Sequence, residues 1–284
     1  MATIPIFILG RHRSGTTWLS NLLASLPEIF VPLHERHWGV HESAFFSHLV
    51  RYCNHGRTDA DLRAIKCLFE CSDFFSLTGL TEKPEILGQG PVGYFRSIME
   101  AAARKSGAGF WLEKTPAHTL HAKFLSAAFP DARFIAVVRN YREVVASNVH
   151  GFGNPRSAWS WFRQSMLTAV YEKVIARNKV KVVRYESLLS DYSGTVLSVL
   201  KDLGIERKVA PMSGFRRNTF YNEAASRREW WQSVAMTVGR LLVQPFPSML
   251  VEEAVIRWRS CKPGTLPSWF FPPDEEPVGA SRRA

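Results

Sequence analysis

The stretch Ile4-Pro5-Ile6-Phe7-Ile8-Leu9-Gly10-Arg11-His12-Arg13-Ser14-Gly15-Thr16-Thr17-Trp18-Leu19 decides the fold. Ile4 to Leu9 is a short continuous apolar run, which predicts a buried strand ended by Gly10. Beyond the loop, Trp18, Leu19, Leu22, Leu23 and Leu26 recur at helical spacing until Pro27. A glycine-containing loop between a strand and a helix is a phosphate cradle in the making. Its backbone N–H groups and the positive end of the helix converge on an anion. The pattern is Gly10-x4-Gly15-Thr16-Thr17, with Thr16 where an ATPase or kinase needs lysine, so the nearest cation is Arg13 within the loop. Taken alone, the loop also reads as an ordinary strand-to-helix turn with Gly15 present for tight packing.

Outward from this loop, strands are expected at Glu28 to Leu33, Phe110 to Leu112, Arg133 to Val138 and Val180 to Val183. Helices are expected at His118 to Phe129, Arg142 to His150, Ala158 to Ala176 and Ser193 to Leu203, with helical stretches around Asn222 to Leu242 and Pro247 to Ser260. Short apolar strands separated by helices indicate an α/β fold: a P-loop-like, mainly parallel sheet flanked by helices. Residues 34–109 break the alternation, with helical pieces near Phe45 to Tyr52 and Tyr94 to Ala103, and read as a mostly helical insert over the active-site edge of the sheet. This insert is the expected acceptor region. Its aromatic residues Trp38, Phe45, Phe46, Phe74, Phe75, Tyr94 and Phe95 would line a pocket or form a core. A single domain over residues 1–262 and a frayed tail over 263–284 complete the expected organisation.

The 284 residues carry 36 Lys plus Arg against 25 Asp plus Glu, a net charge of +11, and 46% are hydrophobic. That composition excludes a disordered chain. Apolar runs such as Ile6 to Leu9 fall far short of the roughly 18 to 20 residues a membrane helix needs, so no membrane span is expected. Gly10-Arg11-His12-Arg13 cuts the first hydrophobic segment too short for a secretory signal, and the expected compartment is the cytoplasm. Cys53, Cys67, Cys71 and Cys261 form no C-x-x-C pair, and the spacing of Cys67 and Cys71 predicts one buried helix face. The positive charge calls for an anionic partner. No basic-aromatic segment or zinc spacing supports a nucleic acid in that role.

The Pro5 to Leu19 segment closely resembles the 5′-phosphosulfate loop of sulfotransferases that use 3′-phosphoadenosine-5′-phosphosulfate (PAPS), in which Lys or Arg precedes Ser-Gly-Thr-Thr as Arg13 does here. The resemblance implies that Arg13, Ser14, Gly15, Thr16 and Thr17 hold the donor and that transfer needs no metal. Trp18 matches the adenine-stacking tryptophan of the cytosolic branch. A second segment, Phe134-Ile135-Ala136-Val137-Val138-Arg139-Asn140-Tyr141-Arg142-Glu143-Val144-Val145-Ala146-Ser147, is similar to the family's 3′-phosphate motif and implies that role for Arg139 and Ser147. A third, Val182-Val183-Arg184-Tyr185-Glu186-Ser187-Leu188-Leu189, resembles the family's strand-Tyr-Glu-x-Leu segment. The loop over the adenosine is poorly matched, with Ser213 to Arg217 or Ser226 to Trp230 as its only candidates.

Sulfuryl transfer to a hydroxyl needs in-line approach, a neutralised leaving phosphate and a base. Phe30-Val31-Pro32-Leu33-His34-Glu35-Arg36-His37-Trp38 resembles the strand-Lys-Glu segment of carbohydrate- and protein-acting members, which makes Glu35 the expected base although His34 replaces the lysine. The bland reading of Glu35 is a surface ion pair. His118 is the rival, two residues out of register with the histidine that follows Lys-Thr in the small-molecule branch. Lys114, in Glu113-Lys114-Thr115-Pro116, matches the lysine that contacts the transferring group. A small-molecule, glycan or lipid acceptor fits equally well. The competing readings are an ATP-dependent P-loop kinase, which Thr16 disfavours, and a non-catalytic protein binding an anionic ligand or nucleic acid.

Overall fold

A computed structural model describes residues 3–207, 229–247, 249–251, 253–255 and 265–272. Ser213 to Arg217, most of Ser226 to Trp230, Cys261 and the tail from 273 lie outside the described residues. The strands are β1 (Ile4–Gly10), β2 (Ile29–Phe30), β3 (Leu33–His34), β4 (Gly39–Val40), β5 (Phe110–Glu113), β6 (Arg133–Val138) and β7 (Lys181–Arg184). Among the described residues the α-helices are α1 (Thr16–Ala24), α2 (Val50–Tyr52), α3 (Asp59–Glu70), α4 (Asp73–Ser76), α5 (Gly90–Lys105), α6 (Ala122–Ala128), α7 (Tyr141–Phe152), α8 (Ala158–Arg177), α9 (Tyr185–Ser190), α10 (Tyr192–Leu203) and α11 (Trp230–Val243). A five-stranded sheet has the order β2-β5-β1-β6-β7, with the β1–β5, β2–β5 and β6–β7 pairs parallel. No helix among the described residues is long and apolar enough to cross a membrane.

The chain divides into two compact units, Met1–Phe7 with Thr17–Ala132 and Ile256–Ala284, and Ile8–Thr16 with Arg133–Val255. In the first unit, β1 pairs with β5 from Ile4↔Phe110 to Phe7↔Glu113, which puts Glu113-Lys114-Thr115 at the carboxyl end of the sheet. The expected strand over Glu28 to Leu33 is shorter than the sequence suggests. Only Ile29–Phe30 joins the sheet, because Pro32 has no N–H to donate to a ladder. Leu33–His34 instead pairs antiparallel with β4, Leu33↔Val40 and His34↔Gly39. Asn21 of α1 staples this hairpin, its side chain donating to Trp38 O at 2.7 Å and accepting from Val40 N at 2.8 Å. Gly39 sits at φ +113 with its missing Cβ 2.1 Å from that carboxamide, so no other residue fits.

The insert's aromatic residues form a core. Phe45, Phe46, Phe69, Phe74, Tyr94 and Phe95 are buried, and Phe45 alone meets Phe46, Phe69 and Phe95 at 4.8 to 4.9 Å between ring centres. Trp38 is 86% exposed. Helix α3 starts on a capping box between Thr58 and Asp61 and buries Ile65 and Phe69. Cys67, two residues from each, therefore points the other way. Both Cys67 and Cys71 are exposed, which corrects the expected buried face. The predicted helix from His118 begins instead as a 3₁₀ turn over Pro116–His121 and becomes α-helical at Ala122.

In the second unit, β6 and β7 align from Ile135↔Lys181 to Val138↔Arg184. Val145 and Val149 of α7, Trp161 of α8 and Met236 of α11 form a buried cluster that fixes α7 in place.

Candidate active site

Within the second unit, the loop after β1 is closed by Ser14, whose N–H and Oγ–H both donate to Arg11 O at 3.0 and 2.7 Å. Arg13 and Gly15 adopt φ of 70° and 101°, so the chain passes twice through the left-handed region before α1 begins at Thr16. A Cβ on Gly15 would stand 2.6 Å from the Tyr185 ring. The tight packing read from the sequence is therefore present at Gly15. Asn148 of α7 donates to both His12 O and Val144 O at 2.8 Å, tying the helix to the loop. Its Oδ1 is buried without a hydrogen-bond partner among the described residues.

The two loop arginines diverge. Arg11 donates to Gln164 Oε1 at 2.6 Å and lies 4.9 Å over the Tyr171 ring, a structural anchor to α8. Arg13 stays exposed, its guanidinium 5.5 Å from the centre of Phe152. Arg139, at the end of β6, donates to Glu143 Oε2 from Nε and Nη2 at 2.9 and 2.6 Å and stacks 4.6 Å over Tyr185. Its Nη1 reaches Arg13 O at 3.5 Å. Ser147 is buried on α7 beside Asn148. Arg13, Ser14, Gly15, Thr16, Arg139 and Ser147 thus belong to one unit, with the Arg139 side chain lying against the loop.

Within the first unit, the hub is Glu113, fully buried at the end of β5. Its carboxylate accepts from Ser43 Oγ at 2.7 Å, Thr115 Oγ1 at 2.6 Å and His118 Nδ1 at 2.8 Å. Burial alone would raise its pKa, but His118 and these hydrogen bonds hold it below the usual carboxylate range. Ala44 N donates to Thr115 Oγ1 and Phe46 N to His118 Nε2, both at 3.2 Å. The hub therefore clamps the backbone on the C-terminal side of Glu42. Next to it, buried Lys114 donates to Glu42 Oε1 at 2.9 Å.

This geometry separates the base candidates. His118 is fully buried and both ring nitrogens are engaged, Nδ1–H by Glu113 and the Nε2 lone pair by Phe46 N–H. Glu35 is exposed on the 3₁₀ turn Glu35–His37 of the hairpin. Glu42, which the sequence reading passes over, is the carboxylate on the lysine. Its signal was its position seven residues beyond Glu35, ahead of a Ser that nothing in the local sequence links to Glu113. Thr17 and Trp18 open α1 and are half-buried.

A parallel α/β sheet with a lysine-free glycine loop after its first strand is a P-loop-like architecture. The chain belongs to the sulfotransferase family, whose model matches residues 5–209. Solved structures similar to it include the sulfotransferase domain of the Synechococcus PCC 7002 olefin synthase, at 18% identity over 90% of this chain and 95% of that one, with a TM-score of 0.48. Sulfotransferase STF1 from Mycobacterium tuberculosis H37Rv shows 17% identity over 89% and 76% of the two chains, with a TM-score of 0.44. The sulfotransferase from Alicyclobacillus acidocaldarius shows 16% identity over 86% and 96%, also with a TM-score of 0.44. No curated protein matches the chain.

Proposed function

We propose that this sulfotransferase moves a sulfuryl group from PAPS to an acceptor hydroxyl or amine. The observation that carries the reading is the loop itself: a cradle with Arg13 rather than a lysine, and the Arg139 side chain against it. The residues fit such a donor. Left-handed turns at Arg13 and Gly15 shape the loop, and two guanidiniums supply positive charge. In this reading Arg13, Ser14, Gly15, Thr16 and Thr17 hold the 5′-phosphosulfate, Arg139 and Ser147 the 3′-phosphate, and Trp18 the adenine. Glu143 now shares the Arg139 fork and would yield to a phosphate, a stronger multidentate acceptor.

When bound, PAPS supplies an activated sulfuryl group on a phosphate leaving group. Lys114 offers positive charge to that group. Glu42 accepts from Lys114 through Oε1, which leaves Oε2 to take the acceptor's proton. Glu35 is the alternative base, favoured by the local sequence and disfavoured by its exposure. The acceptor class stays at small molecule, glycan or lipid. The compartment we infer is the cytoplasm.

The test is calorimetric titration with 3′,5′-adenosine bisphosphate, 5′-AMP and ATP. The 3′-phosphate contact is worth about 1.5 to 3 kcal/mol, so the bisphosphate should bind about 10- to 100-fold more tightly than 5′-AMP. Preference for ATP would return the kinase reading.

A further inference from the structure

Immediately before Glu42, the first unit carries a second cluster. The nearest donor atoms of His37, His41 and Asp73 all lie within 4.8 Å of one another. Asp73, the first residue of α4, is 1% exposed and is gripped by Arg36 and His37. Its N–H donates to Phe270 O at 2.9 Å. His41 is 3% exposed, stacked on His37 at 3.6 Å and walled by Trp269 at 5.3 Å and Phe74 at 6.1 Å. Its Nε2 is buried without a hydrogen-bond partner among the described residues and stands 3.8 Å from Asp73 Oδ2. An ion pair between Arg36 and Asp73 explains the carboxylate but leaves that nitrogen orphaned, which is costly in a buried site.

We propose that His37 Nε2, His41 Nε2 and Asp73 Oδ2 bind a divalent transition-metal ion of the zinc class. Two imidazoles and one carboxylate are that ion's usual donors, with a fourth position for solvent. Tetrahedral ligation at about 2.0 to 2.1 Å sets donor atoms about 3.4 Å apart. The His41–Asp73 separation is already close to that. Binding opens the tighter His37–Asp73 contact, unstacks the imidazoles and moves Arg36 Nε off Oδ2, while Arg36 Nη2 keeps Oδ1 and orients the carboxylate from outside the ligand shell. The ion would pin the β3–β4 hairpin to α4, one residue before Glu42, without entering the transfer step.

The test uses the full chain, stripped with EDTA, dialysed and titrated with Zn²⁺ by calorimetry and Co²⁺ by absorption. One ion per chain is expected, with visible Co²⁺ bands of nitrogen and oxygen ligation and a zinc-dependent rise in Tm. His41→Leu and the more exposed His37→Gln should each weaken binding at least tenfold and abolish the rise in Tm. If His41→Leu fails to fold, His37→Gln alone decides. Absence of stoichiometric binding overturns the site. So does binding unchanged in the folded variants, or a near-ultraviolet thiolate band that disappears in Cys67→Ser or Cys71→Ser.

Discussion

Glu42 and Lys114 come together from 72 positions apart, and in the proposed function Glu42 takes the acceptor's proton. Glu42→Gln keeps shape while removing proton affinity, so kcat should fall by about 10² to 10⁴ with little change in donor binding. Glu35→Gln, on the exposed turn, should leave kcat within a few-fold. The reverse pattern in steady-state kinetics with one acceptor would hand the role to Glu35. Arg139 carries a separate expectation. Arg139→Ala should cost about 1.5 to 3 kcal/mol toward 3′,5′-adenosine bisphosphate and far less toward 5′-AMP, measured by calorimetry. Equal losses for the two ligands would remove Arg139 from the 3′ site.

At the scale of elements, the end of β5 is held by a buried carboxylate with three donors. Glu113→Gln presents an amide where that carboxylate accepted Ser43, Thr115 and His118, and breaking a buried pair of this kind costs about 3 to 5 kcal/mol. The sign of the pH dependence follows from the lowered folded pKa of Glu113. Its stabilisation is complete above the unfolded value of about 4.3 and is lost as pH falls through the folded one. The wild-type advantage over the variant in urea denaturation should therefore be constant from pH 7 to 5 and shrink below about 4.3. A gap that widens on acidification would contradict the assignment. The loop makes its own demand: Gly15→Ala meets both a positive φ and the Tyr185 ring, so it should lower Tm and weaken donor binding together.

Across the molecule, the parts written as continuous local patterns were readable. β1, β6, α7 and α8 announce themselves by apolar runs and helical spacing, and the lysine-free loop by its spacing of glycines and threonines. What stayed hidden depends on long-range partners. β2 stops at Phe30 because Pro32 cannot pair, so Glu35 ends up on a hairpin turn. His118 resembles a base until Glu113 and Phe46 N are seen to occupy both its nitrogens. Glu42 is ordinary until Lys114 is beside it, and His37-x3-His41 acquires a third donor only through Asp73. The proposed sulfuryl transfer from PAPS is read out as release of 3′,5′-adenosine bisphosphate across glycan, lipid, phenol and peptide acceptors, for wild type and Glu42→Gln. Acceptor-dependent release by the wild type, largely lost in the variant, is the predicted result. No release with any acceptor, beside phosphate transfer from ATP, would contradict it.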